Sequence, residues 1–545
     1  MMPSLESFIY YSFAVGVVIM VFVAVLLGVQ VLTLGTQKHQ DENKERVKKA
    51  TSPDTSTHEA YYMGFFHPFA NAGGGGERVL WTMVKAIQDK YPFVVSVIYS
   101  GDNIQRSQLL QNAKAKFGLE INPQTIYVVE LQRRWWVEHK FRRLTLLVQS
   151  LGSVWLAMEA INGFRPDVFV DTVGYAFTYP LVQMVSSRIP VVSYTHYPTI
   201  SSDMRTLVAS REAGVSNDQN VAGSAFLTVL KSAYYAGFAR LYMFCGSFAA
   251  TIMTNSSWTH GHIVRLFGKP TMTRVVYPPC DTKRLVEFPL EHRSPIVMSL
   301  AQFRPEKNHA LQIEAFAQLL HDHSESAAPA GWKKPSLADI LEGKRGAVEY
   351  PALVMLGGAR NIEDEARAEE LRQLAKRLDV ERQVHVVVNA PWEQVLRWLR
   401  TSAVGVHTMR DEHFGINVVE MMAAGLLTIA HDSAGPKLDI VTPAIRCGSD
   451  GTPNVPADAD IKKLVDDGGF PVGMVASTAG EFAQMMRLAL QRDRTALHAA
   501  IRSAARQAAA SRFSEEAFRQ AFYRRFDPVI RWLDNQRSDS DDSFE

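Results

Sequence analysis

The hydrophobic pattern divides the chain before any motif is read. No charged residue occurs between Phe8 and Gln37, and 17–34 is almost wholly aliphatic; a helix needs only about 20 apolar residues to cross a hydrocarbon layer. A membrane-spanning anchor is therefore expected over 8–37. Glu6 is the only charge ahead of it, unlike the positive leader and shorter apolar core of a cleaved secretory signal. Lys38, Lys44, Arg46, Lys48 and Lys49 follow the run, so the positive-inside rule places the body of the chain in the cytosol. The next stretch, 38–58, is polar and reads as a linker with little apolar content to fold around.

From residue 59 short β-rich runs alternate with helix-like stretches. Runs at 61–66, 94–99, 125–130, 168–171 and 191–194 read as buried parallel strands, and a second series follows at 296–300, 353–356, 384–388, 403–407 and 427–430. The pattern predicts an α/β fold of two Rossmann-like, doubly wound sheets in tandem, with ligand where the strand ends of the two face each other. The domains span 59–290 and 291–513, with a terminal helix and acidic tail over 514–545. The stretch 321–350, mixed in Ala, Pro, Ser, Gly and charge, reads as a surface insertion. Between 223 and 253 only Lys231 and Arg240 are charged and aromatics are interleaved, which suits a helix lying in a membrane interface or a buried core helix. Arg133-Arg134-Trp135-Trp136 and the apolar 144–156 after it share that character.

Composition narrows the function classes. A chain of 545 residues, nearly half hydrophobic, can bury two ordinary cores. A net charge of +2 gives no electrostatic footprint for nucleic acid. Cys245, Cys280 and Cys447 lie far apart, so neither a disulfide framework nor a zinc site is indicated.

Four places carry candidate chemistry. Glu412-His413-Phe414-Gly415-Ile416-Asn417, with Glu420 beyond, follows the predicted strand 403–407 and leads into helix-like 418–424. A loop at a helix N-terminus can receive phosphate oxygens on its N–H groups. Two glutamates eight positions apart also fit an ordinary surface helix; the preceding strand and the following Ala-Ala-Gly favour a site. Arg304 and Lys307 lie in a segment just past the first strand of the second domain; a solvated loop with ordinary charges is one reading of it. Gly73, Gly74, Gly75 and Gly76 follow the opening strand and permit close backbone approach to an acceptor or diphosphate, or form a flexible loop. His196 lies just past a strand end, a position that is structural as often as catalytic.

The 412–420 stretch resembles the E-x7-E motif of retaining glycosyltransferases with two facing Rossmann domains, the GT-B type. The resemblance implies that Glu412 contacts the transferred sugar and Glu420 the donor ribose, with Phe414, Gly415, Ile416 and Asn417 in the donor-binding loop. The segment 299–308 resembles the family's G-R-L-x-x-E-K-G, whose cations neutralise the donor diphosphate as it leaves, with Lys307 on the family lysine. Gln302 stands where the family has arginine, and that role passes to Arg304. The stretch 64–79, Tyr194-Thr195-His196-Tyr197-Pro198, 254–259 and 276–281 are similar to one branch, the asparagine-linked glycosylation α-1,2-mannosyltransferases. Membership there implies transfer of mannose, with retention, from GDP-mannose to the dolichol-pyrophosphate oligosaccharide as its fourth and fifth mannoses. It also implies the endoplasmic reticulum membrane, other mannosyltransferases of the pathway as partners, and His196 near the reacting sugar. No metal is expected: Asp458-Ala459-Asp460 and Asp539-Ser540-Asp541 read as a helix start and an acidic tail. Lys307 is expected to be poorly paired without ligand. Two alternatives stay open: a same-fold enzyme with another donor or lipid, such as the N-acetylglucosaminyltransferase of GPI-anchor synthesis, and a non-catalytic membrane scaffold, against which Glu412, Glu420 and Lys307 argue.

Overall fold

The computed structural model describes residues 37–541 except 57, 139–144, 201–203, 205–207, 209–224, 323–349, 458–459 and 492, together with Gly16 and Met20. The expected anchor over 8–37 and insertion over 321–350 thus fall almost entirely outside the described residues. Among those that are described, no helix is long and apolar enough to cross a membrane.

The chain forms two compact units, 1–255 with 259–276 and 519–545, and 277–518 with 256–258. In the first, β1 (Tyr61–Phe66), β2 (Val94–Ser100), β3 (Ile126–Glu130), β4 (Val168–Asp171), β5 (Val191–Thr195), β6 (Thr251–Thr254) and β7 (Thr273–Val275) form one sheet in the order β3-β2-β1-β4-β5-β6-β7. Every pairing is parallel. All residues of β1, β2, β4 and β5 are buried, as expected of strands covered on both faces. In the second unit β8 (Ser294–Leu300), β9 (Ala352–Gly357), β10 (Val384–Val388), β11 (Ser402–His407), β12 (Leu427–His431) and β13 (Met474–Ala476) run in the order β10-β9-β8-β11-β12-β13, again all parallel. Each sheet reverses its strand order once, between β1 and β4 and between β8 and β11. Loops leaving the strands on either side of such a point diverge, and the gap left there is where open α/β sheets bind ligands.

Four differences from the sequence reading have physical causes. The polar 38–58 stretch is not a bare linker, because Gln37–Ala50 is a helix that buries Val47 and Asn43. Asn43 Nδ2 donates to Asn162 O at 3.1 Å and Gln40 Nε2 to Ile161 O at 3.3 Å, satisfying carbonyls that the end of helix Thr145–Gly163 leaves open. Amides do there what apolar contacts would do elsewhere, and a hydropathy scan does not register them. The apolar 223–253 run holds two elements, helix Ala225–Gly246 and edge-side strand β6. Phe238, Tyr242 and Cys245 are fully buried in the first unit's core, while Val229, Leu230, Met243 and Phe244 are exposed. The units divide at Val276, ahead of residue 290, since Cys280, Leu285 and Phe288 pack with Met298 and Val418 in a second-unit core. Finally, the terminal helix, Glu515–Asp541, runs on through what reads as the acidic tail; its return to the first unit from Arg519 onward is what the family resemblance implies.

Candidate active site

The second unit's switch point is closed by two loops. One leaves β8 and ends in a short 3-10 turn, Pro305–Lys307, and the other leaves β11 and enters helix Ile416–Ala424. Thr408 ties them together: its Oγ1 lies 3.1 Å from Lys307 O and 2.9 Å from Asn308 O, and it accepts from Gln312 Nε2 at 2.9 Å. Gly415 opens the helix at φ +107°, a conformation that side-chain-bearing residues rarely adopt. Gly435 supports the same loop from beneath. Its N–H donates to Glu412 O at 3.0 Å, and a Cβ there would lie 2.6 Å from His413 O.

This framework fixes Glu412 in a buried position. Its Oε2 accepts from Lys307 Nζ at 2.5 Å and from His407 Nε2 at 3.1 Å. Lys307 Nζ also lies 3.2 Å from Met409 Sδ. Burial alone would raise the Glu412 carboxyl, but the His407 N–H and the Lys307 charge outweigh it and hold the group well below the usual carboxylate range. Lys307 is therefore well paired without ligand, contrary to the expectation from its loop position. The ammonium's preference for a desolvated carboxylate five residues past β11 could not be seen from spacing. Burial, with the Lys307 charge adding to it, pushes His309 down to about 4, so it is neutral at physiological pH.

Of the other second-unit candidates, Arg304 faces Glu306 at 3.6 Å rather than Glu412, and its buried Nε has no hydrogen-bond partner among the described residues. The Phe414 ring is buried between Tyr277 and Phe513, at 5.8 and 5.5 Å, which leaves its backbone as the part that can meet a ligand. Ile416 is half-buried at the first helical position, and Asn417 and Glu420 share one helix face at i, i+3 spacing. Asn417 Nδ2 donates inward, to Leu300 O at 2.7 Å and to His407 Nδ1 at 3.0 Å. His407 and Thr408 were missed from the sequence. The usable signal was a histidine ending a predicted parallel strand, where such sheets build their sites.

The glycine loop leaves β1 at the first unit's own switch point, and His196 follows β5 in the same unit. Gly73 has φ +90°, Gly74 caps helix Gly75–Lys90, and Gly75 and Gly76 lie inside that helix. Glu77 reaches back to accept the Gly74 N–H and also meets His67 Nε2 at 3.3 Å. His67 Nδ1 lies 2.7 Å from Thr172 Oγ1, just past β4. Burial raises the Glu77 carboxyl, yet the His67 contact and the backbone N–H lower it on balance. A carboxylate thus occupies the helix N-terminus that the four glycines alone suggested for a phosphate. His196 packs against Tyr194, ring centroids 4.9 Å apart, and a Cβ on Gly76 would come 3.5 Å from its Nε2.

Two parallel sheets of this order, one carrying a buried glutamate paired with a lysine at its switch point, define a GT-B glycosyltransferase. Solved structures agree on the fold: alpha,alpha-trehalose 6-phosphate synthase from Burkholderia multivorans superposes with a TM-score of 0.55 at 12% identity, covering 87% of this chain and 100% of that one. Sucrose-phosphate synthase from Thermosynechococcus elongatus does so at 0.54 and 14% identity, over 86% and 99%. The model of glycosyl transferases group 1 matches residues 282–467, and that of the ALG11 mannosyltransferase N-terminus matches 60–267. The chain belongs to the GDP-Man:Man(3)GlcNAc(2)-PP-Dol alpha-1,2-mannosyltransferase family. It is 38% identical to the Homo sapiens protein of that description over 88% of this chain and 89% of the relative, and 34% identical to that of Neurospora crassa over 91% and 85%. The Dictyostelium discoideum protein is 40% identical over 73% and 75%.

Proposed function

We propose that the protein transfers α-1,2-linked mannose from GDP-mannose to the dolichol-pyrophosphate-linked oligosaccharide, placing its fourth and fifth mannoses, with retention of configuration. The observation that carries this reading is the Lys307–Glu412 pair at the second unit's switch point, in a chain whose relatives of that name match it along most of its length.

The chemistry follows from which charges are free to change partner. As the donor's C1–O bond breaks, negative charge grows on the departing GDP diphosphate, and a cation fixed nearby stabilises the transition state. Lys307 takes that role by exchanging Glu412 for the diphosphate. Arg304, with its orphaned Nε, gains in the diphosphate the acceptor it lacks. Glu412, kept ionised, then accepts from a hydroxyl of the transferred mannose and orients it, so that the acceptor hydroxyl attacks C1 from the face GDP leaves and passes its proton to the departing diphosphate. The backbone of Phe414, Gly415 and Ile416 lines the donor, Asn417 braces the donor loop from within, and Glu420 binds the ribose. In the first unit, the Gly73–Gly76 turn and His196 serve the acceptor. The charge neutralisation asks for no metal, and turnover in the presence of chelator tests that.

The apolar 8–37 stretch and the lysines after it support a single-pass anchor in the endoplasmic reticulum membrane with the body cytosolic. The other mannosyltransferases of the pathway are the natural partners there. The deciding experiment offers the purified protein a panel of nucleotide sugars and a short lipid-linked trimannosyl acceptor. Product with GDP-mannose alone, cleaved by an α-1,2-mannosidase, is expected; no product with GDP-mannose would overturn the assignment.

A further inference from the structure

The hydrogen bonds around Glu412 form a directed chain that begins at a main-chain carbonyl. Leu300 O can only accept, so the Asn417 atom 2.7 Å from it is the amide nitrogen. That nitrogen's second proton points to His407 Nδ1 at 3.0 Å. With Nδ1 accepting, the neutral ring carries its proton on Nε2, which faces Glu412 Oε2 at 3.1 Å. The imidazole is buried at the end of β11, 2% exposed, and a buried ring held from both nitrogens has little freedom to turn.

From this geometry we infer that His407 is a positioning residue for Glu412, locked as its Nε2–H tautomer by Asn417 so that the carboxylate stays ionised and aimed when Lys307 leaves it for the donor's diphosphate. The inference rests on the mannosyltransferase reading above. Without His407, the exchange would leave a desolvated carboxylate with no protein donor among those the structure gives its side chain, a state that favours proton uptake or rotation. With it, Glu412 keeps one fixed hydrogen bond throughout and presents its remaining lone pairs to the sugar. Lys307 and His407 thus divide the work: one donor moves, the other stays.

Three variants and one spectrum test this. His407→Phe keeps the ring volume and removes both nitrogens, while His407→Gln can set an amide N–H where Nε2 was. Turnover of His407→Phe is expected to fall about tenfold to a hundredfold, the worth of a hydrogen bond to a charged group, with GDP affinity within about twofold of wild type. His407→Gln should regain most of the loss. Should His407→Phe fail to fold, His407→Asn, whose shorter amide does not reach Glu412, takes its place against His407→Gln. The nitrogen spectrum of histidine-labelled full-length protein, assigned by the signal lost in His407→Gln, should show the proton on Nε2. Normal turnover in the Phe variant, or equal loss in the Gln and Phe variants at unchanged melting temperature, overturns the inference, as does a proton on Nδ1. If the wild type moves no mannose from GDP-mannose, the functional reading fails by itself and the tautomer still decides the positioning role.

Discussion

Both units set a glutamate against a histidine where the sheet reverses its strand order, yet the two glutamates have different company. Glu412 precedes its helix and is held by a lysine from the loop across the switch point. Glu77 sits inside the first turn of its helix and is held by that helix's own capping N–H; among the described residues, its one ion-pair partner is His67. A carboxylate spent on its own helix N-terminus complements the macrodipole and stays there. A carboxylate paired with a lysine on another loop can be released when a stronger anion arrives. The same fold therefore yields a fixed structural charge in one unit and, on the proposed mechanism, an exchangeable one in the other.

The largest effect expected is from Lys307→Ala, which removes the exchangeable partner. Loss of a preorganised cation at a leaving diphosphate is worth roughly 3–4 kcal/mol in the transition state, or a hundredfold or more in turnover, and GDP affinity should fall with it. Because Lys307 is paired and mostly buried, stability should fall too, by about 1–3 kcal/mol. Turnover, GDP titration and thermal denaturation of one preparation check all three, and normal values throughout would remove the lysine from the mechanism. Glu412→Gln should lower turnover by roughly tenfold to a hundredfold while GDP binds as well as before or more tightly, since Lys307 no longer has a carboxylate to leave. Weaker GDP binding in that variant would contradict partner exchange.

Glu77→Gln probes the other side of the comparison. It should cost about 0.5–2 kcal/mol, as lost caps do, and leave GDP affinity unchanged; a GDP defect as deep as that of Lys307→Ala would erase the distinction between the two glutamates. The smallest effect is in pH. The folded values of Glu412 and Glu77 both lie below the ordinary 4.5, so the stability they contribute is complete above that value and is lost as pH falls through the lower folded ones. Glu77→Gln should therefore lose stability less steeply than wild type below about pH 4.5, measured by denaturant titration across pH.

Much of this was legible in the chain. The ten runs expected as strands coincide with β1 to β5 and β8 to β12, because buried parallel strands are continuous apolar runs bounded by polar turns. Strands β6, β7 and β13 were not read: β6 follows closely on an equally apolar helix, and β7, Thr-Arg-Val, and β13, Met-Val-Ala, are too short to stand out. At the site, Lys307 and Glu412 could be named from motif and spacing, but not their pairing, 105 residues apart in the chain. The position of His407 at a strand end was readable, but the partners it holds, Asn417's inward turn and the capping role of Glu77 depend on hydrogen-bond direction, which no one-dimensional pattern carries.

The return of the last helix sets a schedule for synthesis. Phe522, Phe526, Val529, Ile530 and Leu533 are buried, Phe526 lies 6.2 Å from Tyr91, Tyr523 donates to Ala86 O and Lys90 pairs with Asp527. The first unit's sheet is complete on the ribosome by Val275, but the helix that covers this flank is not made until 277–518 has been translated, about 12–50 s later at ~5–20 residues per second. For that interval the nascent first unit presents an uncovered apolar flank around Tyr91, a window in which a chaperone would stand in for residues not yet made.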